Sequence, residues 1–76
     1  MVKPTSITNS MRALRSAHEE MTQAELARRI GATRQTVIAI ERGHYSPSLE
    51  MAFQIAAVFG VPITDVFHYP DNEKDA

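Results

Sequence analysis

The apolar residues of this chain fall into short helical rhythms separated by polar and glycine punctuation. The clearest rhythm lies in residues 22–43, TQAELARRIGATRQTVIAIERG, where Leu26, Ala27 and Ile30 recur at helical spacing and make one apolar face. Thr22 followed by Glu25 has the pattern of a capping box, in which the threonine oxygen takes a free backbone N–H and the glutamate reaches back. Gly31 follows the last apolar residue, where a left-handed cap ends a helix. Thr33 can then cap the next one. The pattern predicts two short helices joined by a turn of about three residues, with Ala27 small enough to let them cross closely.

The second helix, residues 34–42, divides into two faces. At about 100° per residue, Val37 and Ile40 fall together, while Arg34, Gln35, Ile38, Ala39 and Arg42 occupy an arc of about 140° roughly opposite. A polar outer face is ordinary for a surface helix, so its content matters more than its polarity. Arginine bridges O6 and N7 of guanine, and glutamine bridges N6 and N7 of adenine. Both stand at the helix start, the part that enters the major groove in helix-turn-helix readers. Ala39 permits close approach, and Ile38, read as exposed, suits a thymine methyl. Sequence-specific binding of double-stranded DNA is the expectation.

Four further segments frame this unit. Residues 7–18 read as a first helix with Met11 and Leu14 facing inward. Tyr45, Ser46, Pro47 and Ser48 read as a turn, with Ser46 as cap and Pro47 at the first helical position of a fourth helix. Residues 49–59 are apolar around most of the helix and predict a central position in a bundle. Gly60 ends that helix, and Pro62 begins a short last one through Phe67. The expected organisation is a loose arm over residues 1–6, one DNA-binding domain over 7–69 and a disordered acidic tail over 70–76.

These residues resemble the Cro/lambda-repressor-like, or XRE, family in its small stand-alone bacterial form. The likeness runs over residues 11–67 and is carried by MRALR, MTQAELARRIGATRQTVIAIERG and YSPSLEMAFQIAAVFGVPITDVF. It implies an all-α, five-helix domain with the helix-turn-helix formed by helices 2 and 3, and a homodimer on a palindromic operator. By position, Gln23 matches a backbone-contacting residue and Thr33 a phosphate-contacting cap. Arg34 and Gln35 match the base-reading pair, with Thr36, Ile38 and Ala39 along the same DNA-facing helix. Arg42 and His44 match the loop that follows the phosphates. Glu41 matches a partly buried carboxylate paired with an arginine of the first helix, here Arg15. Relatives often place a glycine directly before the residue matching Met21. This chain has Glu20 there and one residue more after Arg15, so the first turn is expected to be longer or built differently.

Composition limits the alternatives. Seventy-six residues suffice for a single small core. There is no cysteine, which suits a cytoplasmic protein, and no apolar run near the 18 or so residues of a membrane span. Net charge is −1, unlike a non-specific nucleic-acid coat. The prediction is a local basic patch of Arg34, Arg42 and His44, with Arg12, Arg28 and Arg29 nearby. His18, His44 and His68 lie on three separate elements and read as solvent- or phosphate-facing. No catalytic or metal-ligand spacing, phosphate loop, cofactor motif or small-molecule site is evident.

Val61, Ile63, Val66, Phe67 and Tyr69 are a surplus of apolar groups for a terminal turn and predict a homodimer contact. A two-fold dimer would hold two reading helices about 34 Å apart. Two other readings compete with a transcription repressor. One is the antitoxin of a toxin–antitoxin pair that also controls its own promoter, although residues 68–76 offer few apolar anchors for a toxin. The other is a dimerisation module with a disused reader, which leaves Arg34, Gln35 and Arg42 without a reason to be together.

Overall fold

Side-chain caps start three of the five helices in the computed structural model, which describes residues 5–70. In chain order the elements are β1 (Thr8–Asn9), α1 (Met11–Ala17), α2 (Gln23–Ile30), α3 (Arg34–Glu41), α4 (Leu49–Phe59), α5 (Ile63–Val66) and β2 (Phe67–His68). The hydroxyl of Thr22 accepts from Glu25 N at 2.9 Å, that of Thr33 from Thr36 N at 3.1 Å and that of Ser48 from Met51 N at 3.1 Å. Each satisfies one of the amides that a helix start leaves free. Gly31 ends α2 with φ +69°, the left-handed conformation that a Cβ disfavours.

The fully buried side chains are Met11, Leu26, Val37, Ile40, Ile55 and Val66. They come from all five helices and form one core with Met21, Ala27, Ile30, Ala56 and Phe59. Burial of each large apolar side chain contributes about 1.5–3 kcal/mol.

Several boundaries differ from the sequence expectation. The first helix begins at Met11 rather than at residue 7, because the preceding residues pair as a strand. Thr8 stands opposite His68 and Asn9 opposite Phe67 in a two-stranded antiparallel ladder. Asn9 also blocks helix extension, since its Oδ1 accepts from Met11 N at 3.1 Å. The fold is thus helical with a small strand pair closing its ends. Ser48, not Ser46, caps α4, so Pro47 precedes the helix. At α5, Pro62 occupies the cap position and Phe67 already has extended geometry.

The fourth helix is not surrounded by protein. Ala52, Ile55, Ala56 and Phe59 face the core, but Leu49 and Phe53 are 70% and 55% exposed. The α1–α2 connection departs from a glycine turn, as expected from its sequence. Glu19 and Glu20 both adopt left-handed geometry, with φ of +60° and +56°, and Met21 N reaches back to the Arg15 carbonyl at 2.9 Å. His18, expected to face solvent or phosphate, instead packs inward. Its Nδ1 donates to the Leu14 carbonyl at 2.9 Å, and its ring meets Phe59 edge-on at 5.2 Å.

The expected arm over residues 1–6 and tail over 70–76 fall largely outside the described residues. Of the arm, Thr5 N donates to the Gly43 carbonyl at 3.2 Å, beside the loop after α3.

Candidate nucleic-acid interface

The turn between α2 and α3 is closed by its own backbone. Ala32 N donates to Ala27 O at 2.9 Å and Gly31 N to Arg28 O at 3.3 Å, leaving residues 31–33 between the two helices. Val37 and Ile40 pin α3 to the core, at 0% and 2% exposure. That anchoring turns Arg34 and Gln35 outward, where both are exposed.

The other predicted positions on α3 are less prominent. Thr36 is half-buried and its hydroxyl lies 3.0 Å from that of Thr33. Ile38 and Ala39 are half-buried, so Ile38 is partly covered rather than fully exposed. Arg42 caps the end of α3, and both it and His44 are exposed. The His44 amide donates to Ala39 O at 3.0 Å, which fixes the start of the following loop.

An ion-pair network ties three helices behind this surface. Arg15 of α1 donates from Nε to Glu41 Oε2 at 2.6 Å and from Nη2 to Oε1 at 3.0 Å. Its third nitrogen, Nη1, donates to the Met21 carbonyl at 2.9 Å, just ahead of α2. Gln23, at the start of α2, donates from Nε2 to Glu41 Oε1 at 3.0 Å. The Arg15 and Glu41 side chains retain only 14% and 9% exposure. A two-pronged arginine–carboxylate contact of this kind fixes direction as well as distance. Asn9 adds a further tie, donating from Nδ2 to the carbonyls of Ile40 and Glu41 at 3.1 and 3.4 Å. Sequence reasoning missed Asn9; an asparagine two residues before a helix was the available signal.

In front of the network lies an open groove of about 700 Å³, lined by Arg12, Arg15, Thr22, Gln23, Ala24, Arg34, Glu41 and Arg42. It brings together Gln23, Arg34, Arg42 and the Arg15–Glu41 pair. Thr33, Gln35, Thr36, Ile38, Ala39 and His44 are not part of its lining. Among the described residues, Arg12, Arg34 and Arg42 have no carboxylate partner within ion-pair distance.

Arg28 and Arg29 are differently placed. Glu25 accepts from Arg28 Nε and Nη2 at 3.1 and 2.6 Å and from Arg29 Nε at 2.7 Å. These bonds, Arg28 first, lower the Glu25 carboxyl from its ordinary 4.5 to about 2, and the same bond raises the Arg28 guanidinium. The capping box is therefore half-formed: Thr22 caps the helix, but the Glu25 carboxylate turns to the arginines rather than back to the Thr22 amide. Neither arginine lines the groove.

The apolar residues expected at a dimer contact divide in their placement. Val66 is fully buried in this chain's own core, and Val61, Ile63 and Phe67 pack partly against that core. Tyr69 is 73% exposed. It borders a groove of about 220 Å³ lined also by Ile7, Ile63, Thr64, Phe67 and His68. Among the described residues no three His, Cys, Asp or Glu side chains cluster as metal ligands. No described helix is long and apolar enough to cross a membrane.

Comparison with known proteins places this geometry. Residues 11–66 match the helix-turn-helix family model. An uncharacterized HTH-type transcriptional regulator of Methanocaldococcus jannaschii is 51% identical over 65 residues, covering 86% of this chain and 97% of the relative. A cryptic phage transcriptional repressor of Vibrio cholerae is 36% identical over 59 residues, covering 78% and 52%. Among solved structures, a hypothetical transcription factor from Neisseria superposes with a TM-score of 0.64 at 34% identity, covering 72% of this chain and 62% of that one. A candidate DNA-binding protein from Bacteroides fragilis reaches 0.71 at 21% identity, covering 82% and 98%, a likeness of fold alone. The chain belongs to the XRE-type helix-turn-helix family and is a DNA-binding transcriptional regulator.

Proposed function

We propose that α2 and α3 form the helix-turn-helix unit and that α3 enters the major groove with Arg34 and Gln35 toward the bases. The observation that carries this reading is the convergence at one surface of the exposed start of α3, the start of α2 and three arginines that have no carboxylate partner among the described residues. Gln35 has the donor and acceptor set for adenine, and Arg34 that for guanine. Arg42 and His44 follow the phosphate backbone, and Thr33 and Gln23 approach it from the two helix starts. Glu41 and Arg15 hold α1, α2 and α3 in register behind this surface.

The chain acts as a repressor that occupies a promoter as a homodimer on an inverted repeat. The repressor name of the Vibrio cholerae relative supports the sign of regulation. The groove beside exposed Tyr69, with Ile7, Ile63 and Phe67 in its wall, supports a second copy docking at the C-terminal segment.

Selection of bound duplexes from a random library, followed by footprinting of the winner, tests the proposal. An inverted repeat whose half-sites are centred about one helical turn apart is the expected product. Recovery of no preferred sequence would contradict base reading by α3, and a single unrepeated site would contradict the dimer.

A further inference from the structure

Arg12 lies on α1, outside the α2–α3 pair, and is exposed. Its surroundings set it beside Arg34 and Arg42. The six arginines of the described residues fall into two groups. Arg15, Arg28 and Arg29 are bound to carboxylates, whereas Arg12, Arg34 and Arg42 have none in range. All three of this second group line the same groove. Among the described residues the only carboxylate lining the groove, that of Glu41, is already taken by Arg15 and Gln23. The groove is thus a place where positive charge gathers without its own counter-charge, beside the start of α2.

We propose that Arg12 is a phosphate-binding residue that holds the DNA backbone from α1 while Arg42 holds it from the end of α3. This deepens the proposed DNA reading and rests on it. A phosphate is the fitting ligand because guanidinium groups bind its oxygens in a two-pronged manner. DNA is the source, because the same groove opens beside the exposed start of α3. The contact carries position and affinity but no sequence information.

The test measures binding of wild type, Arg12→Ala, Arg12→Lys and Arg28→Ala to the selected operator and to a random-sequence duplex between 50 and 200 mM salt. Arg12→Ala is expected to weaken both duplexes by the same factor. Its salt dependence should fall by one ion, a slope change of about 0.9, or roughly threefold less loss of affinity over that salt range. Arg12→Lys should keep the wild-type slope, and so should Arg28→Ala, whose arginine is held by Glu25. Circular dichroism melting checks that each variant folds. A wild-type slope in Arg12→Ala would overturn the proposal, as would a loss confined to the operator. Wild type that binds neither duplex would instead overturn the DNA reading of the groove.

Discussion

Arg28 and Arg29 stand at one end of α2 and the groove of Arg12, Arg34 and Arg42 opens at the other, yet the two sets of cations are in opposite states. At the first, a single Glu25 carboxylate accepts from both arginines. At the second, the only carboxylate in the lining belongs to Glu41 and is already engaged by Arg15 and Gln23. Arginine count alone would not separate these surfaces. The placement of carboxylates does, because it decides which guanidinium groups remain available to an external anion. This also reconciles a net charge of −1 with DNA binding: what matters to a polyanion is local and unneutralised charge.

The comparison can be broken most severely at Glu41. Glu41→Ala removes the carboxylate that Arg15 and Gln23 share and leaves a nearly buried guanidinium without a counter-charge, with the Met21 carbonyl as its remaining partner. The expected loss is about 3–5 kcal/mol of folding stability, measured by urea denaturation. A loss below about 1 kcal/mol would show that the network is a surface ornament. Gln35→Ala changes only the exposed, proposed reading face of α3. It should leave the melting temperature unchanged, cost about 1–3 kcal/mol in operator binding and relax preference at one position. Unchanged affinity and preference on the selected operator would remove Gln35 from the reading surface.

Smaller effects sharpen the same contrast. Glu20→Gly places glycine where φ is +56° and should raise stability by about 0.5–1 kcal/mol in urea, since a side chain in that region is disfavoured. Glu20 is not part of the groove lining, so DNA binding by the folded protein should stay constant. The smallest effect belongs to Glu25. Its carboxyl is lowered to about 2 from an ordinary 4.5, so its contribution is complete above pH 4.5 and is lost as the pH falls toward 2. Glu25→Gln should therefore be slightly less stable than wild type at neutral pH, with the difference closing between pH 4.5 and 2. A difference that persisted unchanged at pH 2 would show that the carboxylate charge is not what the arginines recognise.

Much of this was legible in the sequence because it is local. Thr22, Thr33 and Gly31 mark helix ends through bonds that span three or four residues, and Leu26, Ile30, Val37 and Ile40 declare their face by spacing. The Arg15–Glu41 pair, 26 residues apart, came only through family resemblance. What was not legible depends on distant or competing partners. The Thr8–His68 ladder joins residues 60 apart, and two-residue strands leave no periodicity to detect. Glu25 had two possible partners, the Thr22 amide and the arginines, and only the geometry of α2 decides between them. The apolar residues of α4 indicated burial without indicating that Leu49 and Phe53 lie on the side the other helices do not cover. Val66 likewise belongs to the core rather than to the surplus expected at a dimer contact.

The central claim, that availability and not abundance of arginine defines the DNA surface, is tested most directly by NMR titration of the labelled protein with its selected operator duplex. The side-chain Nε resonances of Arg12, Arg34 and Arg42 and the amide of Gln35 are expected to shift on binding, while those of Arg28 and Arg29, held by Glu25, stay in place. Shifts at Arg28 and Arg29 with Arg12, Arg34 and Arg42 unmoved would contradict the account.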